Sequence, residues 1–121
     1  MIVAGFGFRQ GAPLASLQAA FALAQDGHEP VTLLATADNK FEGLRLLAEV
    51  LGLPLIGVAP EALAATQTPT RSPASLAAYG TGSVAEASAL AAAGPEARLL
   101  TSRHISPDRM ATCAIAQGLV T

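Results

Sequence analysis

The sequence has a single cysteine, Cys113, no tryptophan, and aromatic side chains at only 4% of its 121 positions. One cysteine excludes an intramolecular disulfide, and the two histidines, His28 and His104, lie too far apart to suggest metal-ligand spacing. This usage fits a protein of the reducing cytosol. With so few aromatics, alanine and aliphatic side chains must do most of the packing, which favours closely set helices. Charge is also scarce, at 13% of residues, and the net charge of -2 offers no overall basic field to hold nucleic acid. The longest stretch without a charged residue, Gln10 to Gln25, is 16 residues long and contains a proline and three glutamines. It falls short of the roughly 20 apolar residues that span a membrane. The N-terminal MIVAGFGF has no basic leader and is broken by glycine and Arg9, so no signal peptide is expected there. What is abundant is apolar side chain: 51% hydrophobic residues are too many for a chain that stays unfolded. One domain over residues 1–121 is the expectation.

Strand and helix signals alternate along the chain. Ile2 to Phe6 reads as a short buried strand, followed by a loop punctuated by Gly5, Gly7 and Gly11. Pro13 suits the first turn of a helix whose apolar face carries Leu14, Leu17, Phe21 and Ala24, and Gly27 suits its stop. Val31 to Ala35 reads as a second strand, Phe41 to Leu51 as a helix closed by Gly52, and Pro54 to Val58 as a third strand. Glu61 to Ala65 is a short helix, Thr66 to Ser72 a loop, and Ser72 with Pro73 starts another short helix. Gly80 to Gly82 breaks it. Ser83 followed by Glu86 spells a capping box before a helix from Val84 to Ala93. Leu99 to Thr101 and Ala111 to Ala116 read as two further strands, separated by a polar loop from Ser102 to Arg109. The pattern predicts an α/β fold: a single three-layer domain with a mostly parallel sheet of about five strands and helices on both faces.

On this plan five of the seven basic residues fall in connecting loops: Arg9, Lys40, Arg71, Arg103 and Arg109. In a mostly parallel sheet such loops gather at one edge, so an acidic protein can still present a positive cleft for carboxylates or phosphates. Loops are also where charges are expected in any fold, so the gathering does not by itself make a site. Gly5, Gly7 and Gly11 spell GxGxxxG, one residue away from the dinucleotide fingerprint, and can equally serve a tight turn and close helix contact. The acidic residue a dinucleotide ribose needs would be Asp26 or Glu29, both before the second strand, which argues against that ligand. Of the histidines only His104 lies near the expected cleft, and a lone loop histidine is more often solvated surface than an acid or base. Cys113, within ATCAIA, reads as a small core hydrophobe.

Five segments, in order, resemble a family of cobalamin-biosynthesis proteins that comprises CobE and the C-terminal domain of CbiG. They are GFGFRQGA at 5 to 12, LATADNK at 34 to 40, LRLLAEVLGLPL at 44 to 55, YGTGSVAEASALAAAG at 79 to 94, and ATCAIA at 111 to 116. The resemblance implies work on a corrin-ring intermediate, a tetrapyrrole fringed with acetate and propionate carboxylates. It would place Gly5, Gly7, Arg9 and Gly11 on one wall of the site, Lys40 on a second, and Gly80, Gly82 and Ser83 on a third; the grouping of basic loop residues adds Arg103 to these ligand-binding candidates. CbiG-type proteins, associated with lactone opening and loss of acetaldehyde, carry a further N-terminal region not seen in this sequence. The resemblance therefore implies a CobE-like protein that binds or carries a precorrin or hydrogenobyrinic acid. A precorrin lactone hydrolase, for which only His104, Asp38 and Glu86 are candidates, and a phosphate or nucleotide binder are the alternatives. No cofactor or metal is implied; the partners would be the corrinoid and other cobalamin-pathway enzymes, with no nucleic acid and no membrane, and oligomeric state stays open.

Overall fold

Ile2–Phe8 forms the first strand, β1, as a continuous apolar run whose side chains are buried on both sides, the signature of an interior strand covered on both faces. The computed structural model describes residues 1–118, so the last three residues of the expected 1–121 domain lie outside it. The elements continue as α1 (Leu14–Gln25), β2 (Leu33–Ala37), a single 3-10 turn (Asp38–Lys40), α2 (Phe41–Leu51) and β3 (Leu55–Val58). Then come α3 (Pro60–Ala65), α4 (Pro73–Tyr79), α5 (Val84–Ala93), β4 (Arg98–Ile105) and β5 (Ala111–Gln117).

The five strands make one sheet in the order β3-β2-β1-β5-β4. β1, β2 and β3 pair in parallel, whereas β5 runs antiparallel to both β1 and β4. Four of the five strands therefore point one way. One face is covered by α1 and α2, where Leu17, Ala20, Leu44 and Leu47 pack against Ala4, Phe6, Leu34 and Ile115. The other face is covered by α3 and α5, where Leu63, Ala87 and Ala89 meet Val3, Ala35 and Ala116. The expected three-layer α/β fold is thus present. Its interior is built from alanine to the extent the composition demands, with Phe6 the largest fully buried side chain.

The chain steps from β1 to β2 to β3 with helices on one face, then returns across the sheet to β4 with helices on the other. The switch of direction lies beside β1, and the carboxyl ends of β1 and β4 open together there, the usual binding place in such sheets.

Three differences from the sequence reading bear on the site, the remaining boundaries shifting by a residue or two. β1 runs two residues further than Phe6, so Gly5 and Gly7 are strand residues, not loop. β2 begins at Leu33 and includes Thr36, whose hydroxyl donates to the Phe6 carbonyl at 2.8 Å and so tolerates full burial. The polar segment Ser102 to Ile105 is not a loop but the second half of β4. It is an edge strand with two register shifts against β5, one between Leu99 and Thr101 and one between Thr101 and His104. A bulged edge strand faces solvent on one side and carries polar residues at little cost, which is why its composition resembles a loop.

Candidate functional site

At the switch point lies an open cleft of about 360 Å³. β1 contributes Gly7 and Phe8, the residue after it Arg9, the 3-10 turn Lys40, β4 Arg103 and Ile105, and the β4–β5 loop Arg109 and Met110. α4 forms the outer wall through Ser75, Ala78 and Tyr79 although none of its residues is buried, and its Tyr79 hydroxyl donates to Asn39 Oδ1 at 3.4 Å across the mouth. Val84, in the first turn of α5, closes the inner end and brings the positive end of that helix dipole toward the cleft.

The position of α5 is set by Gly5. A Cβ there would stand 2.1 Å from the Ala85 carbonyl oxygen and 2.5 Å from the Ala89 nitrogen, so only glycine lets the helix backbone rest on β1. At Gly7 a Cβ would meet Thr112 Oγ1 at 3.0 Å and Val84 at 3.5 Å, at the cleft floor itself. Phe8 lies next to Gly43, where a Cβ would come within 2.6 Å of its ring, and the Lys40 ammonium sits 5.2 Å from that ring's centre. Such a cation–π contact orients the lysine while leaving its charge available.

The electrostatic character is one-sided. Four of the seven basic residues, Arg9, Lys40, Arg103 and Arg109, line the cleft, and no aspartate or glutamate does. Among the described residues the one ion pair within 4.0 Å joins Arg45 to Glu42, outside the cleft. Two carboxylates that are bonded to, or adjoin, the residues carrying these cations are occupied otherwise. Glu86, fully buried, accepts from the Thr70 amide at 3.0 Å, the Thr70 hydroxyl at 2.7 Å and the Arg103 amide at 2.9 Å. Asp108 accepts from the Ser106 hydroxyl at 2.6 Å, the Met110 amide at 3.1 Å and the Ser16 hydroxyl of α1. These donors hold the Asp108 carboxyl below its ordinary pKa, the Ser106 and Ser16 hydroxyls most strongly.

Of the residues singled out from the sequence, Gly7, Arg9, Lys40 and Arg103 come together in the cleft. Gly5 lies beneath α5. Gly11 is an exposed left-handed turn residue, φ 82°, with open space around it. Gly80 and Gly82 line a separate cavity with Arg71. Ser83 is buried and its hydroxyl accepts from the Glu86 amide at 3.2 Å. The capping box is therefore only half formed: the Glu86 carboxylate turns to Thr70 and Arg103 rather than back to Ser83, because the bulge in β4 frees an amide that needs an acceptor. His104 stands in β4 opposite Cys113, its Nε2 2.8 Å from Thr101 Oγ1, and neither it nor Asp38 nor Glu86 is among the cleft lining. Arg109, expected among the loop cations that gather at this edge though not among the individual ligand-binding residues, also lines the cleft, and Phe8, Val84, Ile105 and Met110 line it without having been singled out from the sequence. Burial raises the Cys113 thiol well above its ordinary pKa, in keeping with a core side chain.

Residues 2–116 match the family model described as cobalamin synthesis G C-terminus. The chain belongs to this family. Membership places it among the proteins of cobalamin biosynthesis. A crystal structure of CobE, a protein from the cobalamin (vitamin B12) biosynthetic pathway, superposes with a TM-score of 0.88 at 32% identity, covering 100% of this chain and 92% of CobE. The cobalamin biosynthesis protein chiG from Agrobacterium tumefaciens gives a TM-score of 0.77 at 39% identity, covering 99% of this chain and 100% of its own. No curated protein sequence matches. Within this cobalamin synthesis G family the α/β architecture is therefore shared along nearly the whole chain. Among the described residues no helix is long and apolar enough to cross a membrane, and no group of three His, Cys, Asp or Glu residues could hold a metal ion.

Proposed function

We propose that the cleft binds a carboxylate-fringed corrin-ring intermediate of cobalamin biosynthesis and holds or carries it without transforming it. The observation that carries this reading is the gathering of four cations, unpaired with any described carboxylate, around an apolar floor of Phe8, Val84, Ile105 and Met110. A macrocycle with acetate and propionate side chains has the matching form: an apolar ring and an anionic rim. Arginine suits that rim, because its planar fork bonds a carboxylate through two donors. The ring with all its side chains is larger than the cleft, so one side would be held and the rest left accessible for transfer to a pathway enzyme. Binding is favoured over lactone hydrolysis because His104, Asp38 and Glu86 are all outside the lining, and Glu86 already accepts three hydrogen bonds. A nucleotide is less well matched, since the glycines of β1 serve helix contact instead of a phosphate loop.

The test is a titration with hydrogenobyrinic acid followed by its absorption, with a nucleotide as the contrasting ligand. Micromolar binding of the corrinoid is expected, and Arg9→Ala should weaken it about tenfold, the equivalent of ~1.4 kcal/mol. An unchanged corrinoid spectrum at micromolar protein would sink the proposal.

A further inference from the structure

Arg109 is one of two non-glycine residues among those described with a positive φ, at 61°, and of the two it is the one at the cleft. Glycine or asparagine is the ordinary occupant of such a position, because a Cβ crowds the backbone there. An arginine in this conformation needs something that enforces it. The β4–β5 loop supplies that. Ser106 is buried, its amide donates to the Ala111 carbonyl at 2.9 Å, its hydroxyl accepts from the Ala111 amide at 3.1 Å, and its carbonyl accepts from the Arg109 amide at 2.8 Å. Asp108 closes the turn on either side of Arg109: Oδ1 takes the Ser106 hydroxyl and the Met110 amide, and Oδ2 takes Ser16 of α1. The carboxylate beside Arg109 is thereby committed to three donors, and the guanidinium has no described acid within 4.0 Å.

We infer that Arg109 is an anchor for a ligand carboxylate, and that Asp108 is its positioning residue, holding the loop in the left-handed turn that presents the guanidinium to the cleft. This inference rests on the binding reading above. Glycine is the residue such a turn favours on backbone grounds; arginine at position 109 adds a guanidinium at the cleft edge, where Arg9, Lys40 and Arg103 already gather. Asp108 contributes nothing to the lining itself; it acts by fixing the loop.

Arg109→Gly separates the two roles, because glycine adopts the observed turn without strain. The expected result is a melting temperature equal to or above that of the parent, with affinity for hydrogenobyrinic acid about tenfold weaker. Asp108→Ala should also weaken binding, and the Arg109→Gly, Asp108→Ala double variant should bind no more weakly than Arg109→Gly alone, since a misplaced guanidinium and an absent one are equivalent. Parental affinity in Arg109→Gly would overturn the anchor role whatever the behaviour of Asp108→Ala. Fully additive losses would overturn the positioning role. If the parent itself failed to bind hydrogenobyrinic acid, the binding reading would fall and this inference with it, an outcome distinct from a parent that binds and a variant that binds equally well.

Discussion

A single missing side chain decides where the cleft lies. At Gly5 the atoms a Cβ would meet belong to the α5 backbone, which cannot swing aside as a side chain can. Gly5→Ala must therefore lift α5 from β1 and spread the cleft floor at Val84. We expect a loss of about 3 kcal/mol, at the upper end of what overpacking a core costs, read as a lowered urea midpoint. Gly11→Ala makes the opposite case: nothing stands within 4 Å, and only its φ of 82° opposes a Cβ, so about 1 kcal/mol is expected. Equal losses at the two positions would contradict this division. The spacing GxGxxxG was legible in the sequence, but its meaning was not, because a glycine reserved for a helix from the far end of the chain looks the same as one that turns a loop. Only the pairing of β1 with α5, about eighty residues apart, distinguishes them.

At the scale of elements, the interior strands and the long helices were legible because buried parallel strands read as apolar runs and α2 carries a regular apolar stripe ended by Gly52, φ 68°. β4 was not, since a bulged edge strand with Ser102, Arg103 and His104 has no periodicity to read. Its bulges matter for the site, because they leave the Arg103 amide to Glu86, which also ties down Thr70 and so joins the loop before α4 to the strand that carries Arg103. Glu86→Ala would strand these part-buried donors and leave a void where the buried Glu86 side chain stood. A loss of about 3 kcal/mol is expected from an unsatisfied set bonded to a carboxylate, with a smaller loss for Glu86→Gln, which retains one acceptor oxygen. A Glu86→Ala protein as stable as the parent in urea would show that the tie is dispensable. The β4–β5 loop is tied to α1 by Asp108, whose folded carboxyl is held below its ordinary value. That stability is present above the unfolded carboxylate value of about 3.9 and fades as pH falls through the lower folded value. Urea midpoints between pH 6 and pH 3 should fall less steeply for Asp108→Asn than for the parent; parallel curves would remove Asp108 from the acid response.

Across the whole molecule the charges are sorted rather than balanced. Seven cations face nine acids for a net charge of -2, yet four of the cations share one cleft that no acid lines. This sorting follows from topology: β1, β2 and β4 point the same way, so the segments after them, far apart in sequence, converge on one edge. Attraction of an anionic ligand should then depend on the local field and hardly at all on net charge. Arg9→Ala and Arg45→Ala test this, because each changes the net charge by the same unit. Arg45 is exposed on α2, paired with Glu42 at 2.7 Å, and lies outside the cleft lining, where such a pair contributes about 0–1 kcal/mol to stability. Raising salt from 0.1 to 1 M shortens the screening length from about 10 to about 3 Å and should weaken corrinoid binding by the parent. Arg45→Ala should bind like the parent at both salts, while Arg9→Ala should start weaker and lose less on adding salt, because part of the screened attraction is already gone. Equal effects of the two substitutions would mean that the ligand responds to the charge of the whole molecule, and the cleft would lose its claim as the site.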